Sequence, residues 1–210
     1  FTYASDRSKI AKIRLLKAFR ESSEPEYPGK PLSTFNTVFE EALGDRPIRK
    51  IGVAGLPLMT IGVYEALNES LAKYGKVSLK KADDVIARLR MIKTENELIC
   101  MRAAADITRQ TFFHVLENIH VGMTEQQVIG VALGKMHELG AERESYPMWT
   151  LTGLGSNQAI SRPRNKKIEK GDLTFIQIGA RVAGYASTIG RPVVFGKMTA
   201  EQRELISVGY

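Results

Sequence analysis

The chain has 210 residues, 43% hydrophobic and 25% charged, a balance typical of a folded globular protein with a substantial core. Lys and Arg exceed Asp and Glu by seven (30 against 23). The positive charges are diffuse and are not interleaved with aromatic residues, which argues against nucleic acid as a partner. No apolar run is long enough to cross a membrane, so no membrane partner is predicted. Cys100 is the single cysteine, which excludes an intrachain disulfide and favours a reducing, cytoplasmic location.

The first third of the chain predicts an α/β module. Lys9–Arg20 is typical of the solvated face of a basic helix, and Ser33 is placed to cap a helix that ends near Leu43. A strand, a longer amphipathic helix and a second strand follow, at 49–54, 57–74 and 76–79. A helix that joins two strands in this way predicts a parallel crossover unit.

The pattern changes near residue 82 to longer helices and then a hairpin. After a helix at 83–92, three capping boxes predict helix starts: Thr94-x-x-Glu97, Thr124-x-x-Gln127 and Thr199-x-x-Gln202. A strand at 148–152 and apolar segments within 171–196 predict an antiparallel sheet between the last two helices. We therefore predict an α/β domain over residues 1–85 and an α+β domain over 86–210.

Two polar side chains, Gln177 and Thr188, interrupt the apolar strands of the predicted hairpin. A buried amide or hydroxyl without a partner costs about 1–3 kcal/mol, so each needs a reason. If residues 181–184 form the connecting loop, Gln177 lies directly opposite Thr188. They are either a satisfied pair inside the sheet or a variant of a site built by two facing side chains.

A resemblance to a known family is carried by an ordered set of short motifs. They are Arg88–Thr94 (RLRMIKT), Glu97–Ala104 (ELICMRAA), Val121–Glu125 (VGMTE), Gly171–Leu173 (GDL), and then Gly179-Ala180, Gly184-Tyr185 and Arg191. Together they resemble the creatinase and Xaa-Pro aminopeptidase family over residues 46–210. The resemblance implies an α/β N-terminal module followed by the first half of an α+β pita-bread domain. It also implies a fragment that lacks the start of the first domain and the second half of the catalytic domain.

The resemblance also bears on metal binding. In the metallopeptidases of this family, the positions that match Gln177 and Thr188 are aspartates that ligate two divalent metals. A carboxamide and a hydroxyl are neutral and do not compensate the charge of such ions. We therefore expect no metal ligand and no cofactor here. A divalent Mn, Co or Zn ion is expected only if the two replacements are compensated elsewhere.

The family's histidine upstream of the hairpin, which assists acid chemistry at the scissile bond, is also missing. Counting back from Gly171 places the matching position at Ile160, and counting forward from Gly155 places it at Arg162. Ile160 transfers no proton, and Arg162 stays protonated and only binds an anion. No catalytic residue is assigned.

Three functions remain open at this stage. The first is a metal-independent hydrolase of a small C–N substrate, an assignment by analogy with the family. In it Gln177, Thr188 and Tyr185 hydrogen-bond the substrate, and Arg162 or Arg164 holds its carboxylate. The second is a catalytically silent, peptidase-like binding module. The third is an Xaa-Pro dipeptidase or aminopeptidase. The expected partners are a small molecule or short peptide and a second copy of the chain in a homodimer.

Overall fold

The computed structural model describes residues 8–19 and 32–209. The chain divides into two compact units, Phe1–Ile92 and Lys93–Tyr210. None of the helices in the described ranges is long and apolar enough to cross a membrane.

The first unit is built around a pair of parallel strands. Its helices are α1 (Phe35–Leu43), α2 (Ile61–Ala72) and α3 (Asp83–Met91), and its strands are β1 (Leu15–Leu16), β2 (Leu32–Ser33), β3 (Lys50–Val53) and β4 (Ser78–Lys81). Strands β3 and β4 pair in parallel with α2 between them in sequence, which confirms the predicted crossover unit. The core contains Ile48, Val53, Leu67 and Leu71.

The prediction of a helix over Lys9–Arg20 was wrong. Residues 8–19 contain no α-helix; they contain β1 and a short 3₁₀ turn, and Arg20 lies outside the described residues. Leu15 and Leu16 instead pair in parallel with Leu32 and Ser33. Pairing with a distant segment outweighs the weak local preference for helix. Because Ser33 lies in β2, the cap of α1 falls one residue later than predicted.

The second unit combines three capped helices with short antiparallel strands. The helices are α4 (Glu95–Asn118), α5 (Glu125–Glu138) and α6 (Ala200–Ser207). The strands are β5 (Arg143–Glu144), β6 (Trp149–Thr152), β7 (Leu173–Ile178), β8 (Ala180–Val182), β9 (Tyr185–Ala186) and β10 (Ile189–Val194). Each helix begins with its predicted capping box, so these three predictions are confirmed.

Strand β7 is the centre of the main sheet, whose order is β10-β7-β6. Its alternate residues Thr174, Ile176 and Ile178 are fully buried. The core on this side includes Val115 of α4 and several α5 residues, among them Val128, Ala132 and Met136. The other face of β7, which carries Gln177, is only partly buried. The period-two pattern of the strand therefore places Gln177 away from the core.

The register predicted for the hairpin was wrong by two residues. The connecting turn is Ala183-Gly184 alone, because Val182 pairs with Tyr185. Gly190, not Thr188, is the strand partner of Gln177. Both turn residues have positive φ, 49° and 81°, as a tight two-residue hairpin turn requires. A shift of two residues preserves the face of every side chain, so Gln177 and Thr188 remain on the same side.

Candidate functional site

A cavity of about 660 Å³ lies at the end of strands β6 and β7. Trp149 and Gln177, which are register partners, contribute one wall. The other described residues that line it come from the segment before β6 and from the loop that follows it: Tyr146, Pro147, Ile160, Ser161 and Arg162. The lining is mostly apolar with a few polar groups, as is typical of small-molecule sites.

Gln177 and Thr188 belong to a hydrogen-bonded triad with Tyr146. The Gln177 Nε2 group donates to Thr188 Oγ1 at 2.9 Å and to the Tyr146 hydroxyl at 2.5 Å. The Tyr146 and Thr188 hydroxyls are also hydrogen-bonded to each other, and Thr188 donates to the Ile178 carbonyl at 3.3 Å. Both carboxamide hydrogens are therefore used inside the protein, and Gln177 Oε1 accepts no hydrogen bond from any described residue.

Gly190 makes room for this carboxamide. A Cβ atom at Gly190 would lie 2.0 Å from Gln177 Oε1 and 2.9 Å from Phe175 Cζ. Atoms do not approach so closely, so a side chain at position 190 would push the Gln177 side chain aside. The orientation of Gln177 thus depends on a glycine directly opposite it in the neighbouring strand.

Trp149 is the single tryptophan of the chain, and it lies in the cavity wall. Its side chain is only 8% exposed, and its ring packs against that of Tyr146 with centroids 5.4 Å apart. Its indole Nε1 has no hydrogen-bond partner among the described residues. A buried donor without a partner is costly, so a ligand acceptor that reached it would be stabilised.

The two arginines predicted to hold a substrate carboxylate lie in different surroundings. Arg162 is exposed, lines the cavity, and forms no ion pair or hydrogen bond with any described residue. Arg164 instead forms a bidentate pair with Glu125, with Nη2 to Oε1 at 2.7 Å and Nε to Oε2 at 3.0 Å. Arg162 is therefore the guanidinium available to a ligand, whereas that of Arg164 already has a partner.

Tyr185 lies outside the set of described residues that line the cavity. Its hydroxyl donates to Glu97 Oε1 at 2.8 Å, in the first turn of α4. The backbone N–H of Thr94, followed by the Tyr185 hydroxyl, holds the pKa of Glu97 below its ordinary value. Tyr185 therefore links the hairpin to the capping box of α4 and is not brought together with Gln177.

The pairing of Glu125 is a feature that sequence reasoning missed. Its side chain is fully buried, and it also accepts hydrogen bonds from the backbone N–H groups of Thr152 at 2.8 Å and Arg164 at 2.7 Å. Burial by itself would raise the pKa of Glu125, but the Arg164 guanidinium and the two N–H donors outweigh it and hold the pKa below its ordinary value. The sequence signal was the acidic residue at the first position of a capped helix; its partner lies 39 residues further along the chain.

A second polar cluster extends from Glu125 through Thr152 to Asp172. The Thr152 hydroxyl lies 2.9 Å from Asp172 Oδ2 and 2.7 Å from the Thr174 hydroxyl. Lys166 Nζ lies 3.3 Å from the same carboxylate oxygen. Burial would raise the pKa of Asp172, but the backbone N–H of Glu169, Thr152 and Lys166 together lower it. The carboxylates of Glu125 and Asp172 thus have structural roles, and each pairs with its own cation, Arg164 and Lys166 respectively.

These features define an α+β domain with a small-ligand cavity at the end of its central strands. Residues 99–209 match metallopeptidase family M24, and the chain belongs to that family. It is 29% identical to an Xaa-Pro dipeptidase of Pyrococcus horikoshii, over 75% of this chain and 45% of the relative. It is 32% identical to an Xaa-Pro aminopeptidase of Escherichia coli, over 59% of this chain and 28% of the relative.

The solved prolidase from Pyrococcus furiosus is similar in structure, with a TM-score of 0.72 at 28% identity. The match covers 86% of this chain and 52% of the prolidase. The chain therefore has an α/β module followed by part of a pita-bread domain, and it spans from about a quarter to about half of the length of these relatives. The predicted family and fold class are confirmed.

The name of the family implies a metal, and the triad does not suit one. A divalent ion is held by anionic or strongly donating ligands, whereas Gln177, Thr188 and Tyr146 are neutral and already hydrogen-bonded to each other. Among residues 8–19 and 32–209, no group of three or more His, Cys, Asp or Glu side chains could hold a metal ion. The donor set present here does not fit the implied metal.

Ile160 and Arg162, the two positions that alternative counts matched to the family's histidine, both line the cavity. Ile160 is 79% exposed and adds apolar surface at its rim. Neither residue transfers a proton near neutral pH. Of the described residues that line the cavity, only Tyr146 and Arg162 carry a titratable group.

Proposed function

We propose that this chain forms the substrate-binding part of a family M24 hydrolase that acts on a small C–N substrate without a divalent metal at Gln177 and Thr188. The observation that carries the proposal is the closed triad of Gln177, Thr188 and Tyr146. Because its hydroxyl and carboxamide hydrogens are shared among protein atoms, the triad is satisfied without an ion. Facing carboxylates at the same place would repel each other unless an ion lay between them.

The cavity suits a small molecule with an apolar body and a carboxylate. Arg162, which pairs with no described residue, lies at its edge, and a charge-assisted hydrogen bond from a guanidinium to a carboxylate is among the stronger polar interactions. Pro147, Trp149 and Ile160 supply apolar surface. Gln177 also lines the cavity, and its Oε1 atom is an acceptor for a ligand N–H. The chain's own residues thereby bind and orient the substrate.

A silent binding module is the second candidate. It is favoured by the absence of His, Asp, Glu and Cys from the described residues that line the cavity, since proton transfer at a C–N bond needs a general acid or base. An Xaa-Pro dipeptidase is the third, and it is supported by the names of the relatives. We also propose that the first unit corresponds to the N-terminal domain of creatinase-like proteins and that the protein forms a homodimer.

Ligand binding can be followed through the single tryptophan. We would titrate the protein with cyclohexanecarboxylate and with its neutral amide, which have the same body, and record Trp149 emission. A charge-assisted bond predicts about tenfold tighter binding of the acid. Arg162→Gln should abolish this preference, and Lys167→Gln, which removes a charge from the same loop, should retain it. Equal affinity of the wild type for the two probes would contradict the proposed binding mode.

Hydrolysis assays then separate the three candidates. A panel of small amides and Xaa-Pro dipeptides would be tested with and without a chelator. Hydrolysis that survives chelation supports the proposal. Hydrolysis that needs a divalent ion supports the dipeptidase, and carboxylate binding without hydrolysis supports the binding module.

A further inference from the structure

The part of the cavity wall that carries Arg162 has few contacts of its own. Residues 159–162 form no backbone hydrogen bond with any residue in the described ranges. Ile160 and Arg162 are exposed, and Ser161 is half-buried. The position of Arg162 must therefore be set by the chain on either side of this segment.

The chain immediately after Arg162 is held firmly by the start of α5. The Pro163 carbonyl accepts a hydrogen bond from Gln126 Nε2 at 2.8 Å, and the Arg164 carbonyl accepts one from the Gln126 backbone N–H at 3.3 Å. Glu125 binds both the backbone N–H and the guanidinium of Arg164. Gly155 leaves space for that guanidinium, since a Cβ atom there would lie 2.1 Å from Arg164 Nη2.

Proline connects these contacts to Arg162. The ring of Pro163 fixes its own φ, and it also restricts the preceding residue to extended conformations. Holding Pro163 and Arg164 in place therefore fixes the direction in which the backbone of Arg162 leaves the loop. A buried, fully hydrogen-bonded carboxylate is a rigid anchor for this purpose.

We propose that Glu125 is a positioning residue that, through Arg164 and Pro163, holds Arg162 at the cavity. The inference rests on the proposed function, in which Arg162 binds the carboxylate of the ligand. Glu125 itself does not contact the ligand. If Glu125 has this role, its replacement should weaken the binding of the ligand's carboxylate without changing the contacts with the apolar part of the cavity.

The test compares Glu125→Gln and Arg164→Lys with the wild type, with Lys167→Gln as the matched control. Arg164→Lys retains the positive charge but loses the bidentate geometry, and its side chain is 48% exposed, so it leaves a folded protein to measure if Glu125→Gln unfolds. The readout is the ratio of the affinities for cyclohexanecarboxylate and cyclohexanecarboxamide, from Trp149 fluorescence. We expect the ratio to fall about tenfold in both variants, with the affinity for the amide unchanged.

Limited digestion with trypsin tests, without a ligand, whether Glu125 holds the backbone at Arg164 in place. The Arg164–Asn165 bond should be cut faster in Glu125→Gln than in the wild type or Lys167→Gln, with cleavage mapped by mass spectrometry. A wild type that does not prefer the acid overturns the proposed function and the inference with it. A wild-type preference that survives in both variants, with no faster cleavage at this bond, overturns the positioning role alone.

Discussion

Replacing Glu125 with Gln keeps the shape of a fully buried side chain but removes its charge. The new amide oxygen can still accept from the Thr152 N–H and from Arg164 Nη2. Its NH₂ group would then face the Arg164 backbone N–H and Nε–H, two donors that are left without an acceptor. Replacement with Ala removes all four hydrogen bonds and leaves a void.

The size of the effect follows from these contacts. An unsatisfied buried donor costs about 1–3 kcal/mol, so Glu125→Gln should lower the free energy of unfolding by about 2–3 kcal/mol. Glu125→Ala should lower it by about 3–4 kcal/mol, within the range expected for breaking a buried ion pair. Both values are at the lower end of the expected ranges because about half of the Arg164 side chain is exposed. Water then replaces part of the hydrogen bonding that Arg164 loses.

Urea unfolding followed by Trp149 emission measures these losses, because the single tryptophan reports on the second unit. Glu138→Gln, which removes an exposed pair with Lys135, is the control and should leave the midpoint unchanged. A loss below about 1 kcal/mol for Glu125→Ala would refute the reasoning, since so small a value is typical of an exposed carboxylate.

The pH dependence provides an independent check on the same carboxylate. The folded-state pKa of Glu125 is lowered, so its contribution is present above the unfolded pKa of about 4.3 and is lost as pH falls through the lower folded value. The difference in stability between wild type and Glu125→Gln should therefore be constant near neutral pH and shrink below about pH 4. A difference that grew on acidification would contradict the assigned direction.

Three further predictions concern the hairpin and its neighbours. Ala183→Gly should raise the melting temperature, with a gain of about 0.5–1 kcal/mol, because Ala183 has a φ of 49° that glycine adopts without strain; an unchanged melt would contradict this. Gly190→Ala should cost about 1–3 kcal/mol by displacing Gln177, whereas Gly134→Ala, with open space around it, should not destabilise. The double change Gln177→Asp with Thr188→Asp should lower the melting temperature, and manganese should restore it only in that variant.

Much of the fold could be predicted because its signals are local. The capping boxes that start with Thr94, Thr124 and Thr199 each marked a helix start to the residue. The parallel crossover followed from the order of two short strands and a helix. Where the fold depends on distant pairing, as for Leu15 and Leu16 with β2, local pattern gave the wrong structure.

The candidate site could be predicted only in part. The face shared by Gln177 and Thr188 followed from the period of the strands, but the register did not, because the turn length was misjudged. Tyr146 lies 31 residues before Gln177 and has no motif around it, so its place in the triad was not foreseen. Which of Arg162 and Arg164 is available to a ligand depends on Glu125, because Glu125 is brought next to Arg164 only when the chain folds.

The central claim is that a neutral, hydrogen-bonded triad takes the place of a metal site at Gln177 and Thr188. The most direct test is to dialyse the purified wild-type protein against manganese, remove the free ion, and measure bound metal by elemental analysis. The double Asp variant is measured alongside as a comparison. The account predicts no stoichiometric metal in the wild type. Two bound divalent ions per wild-type chain would contradict it.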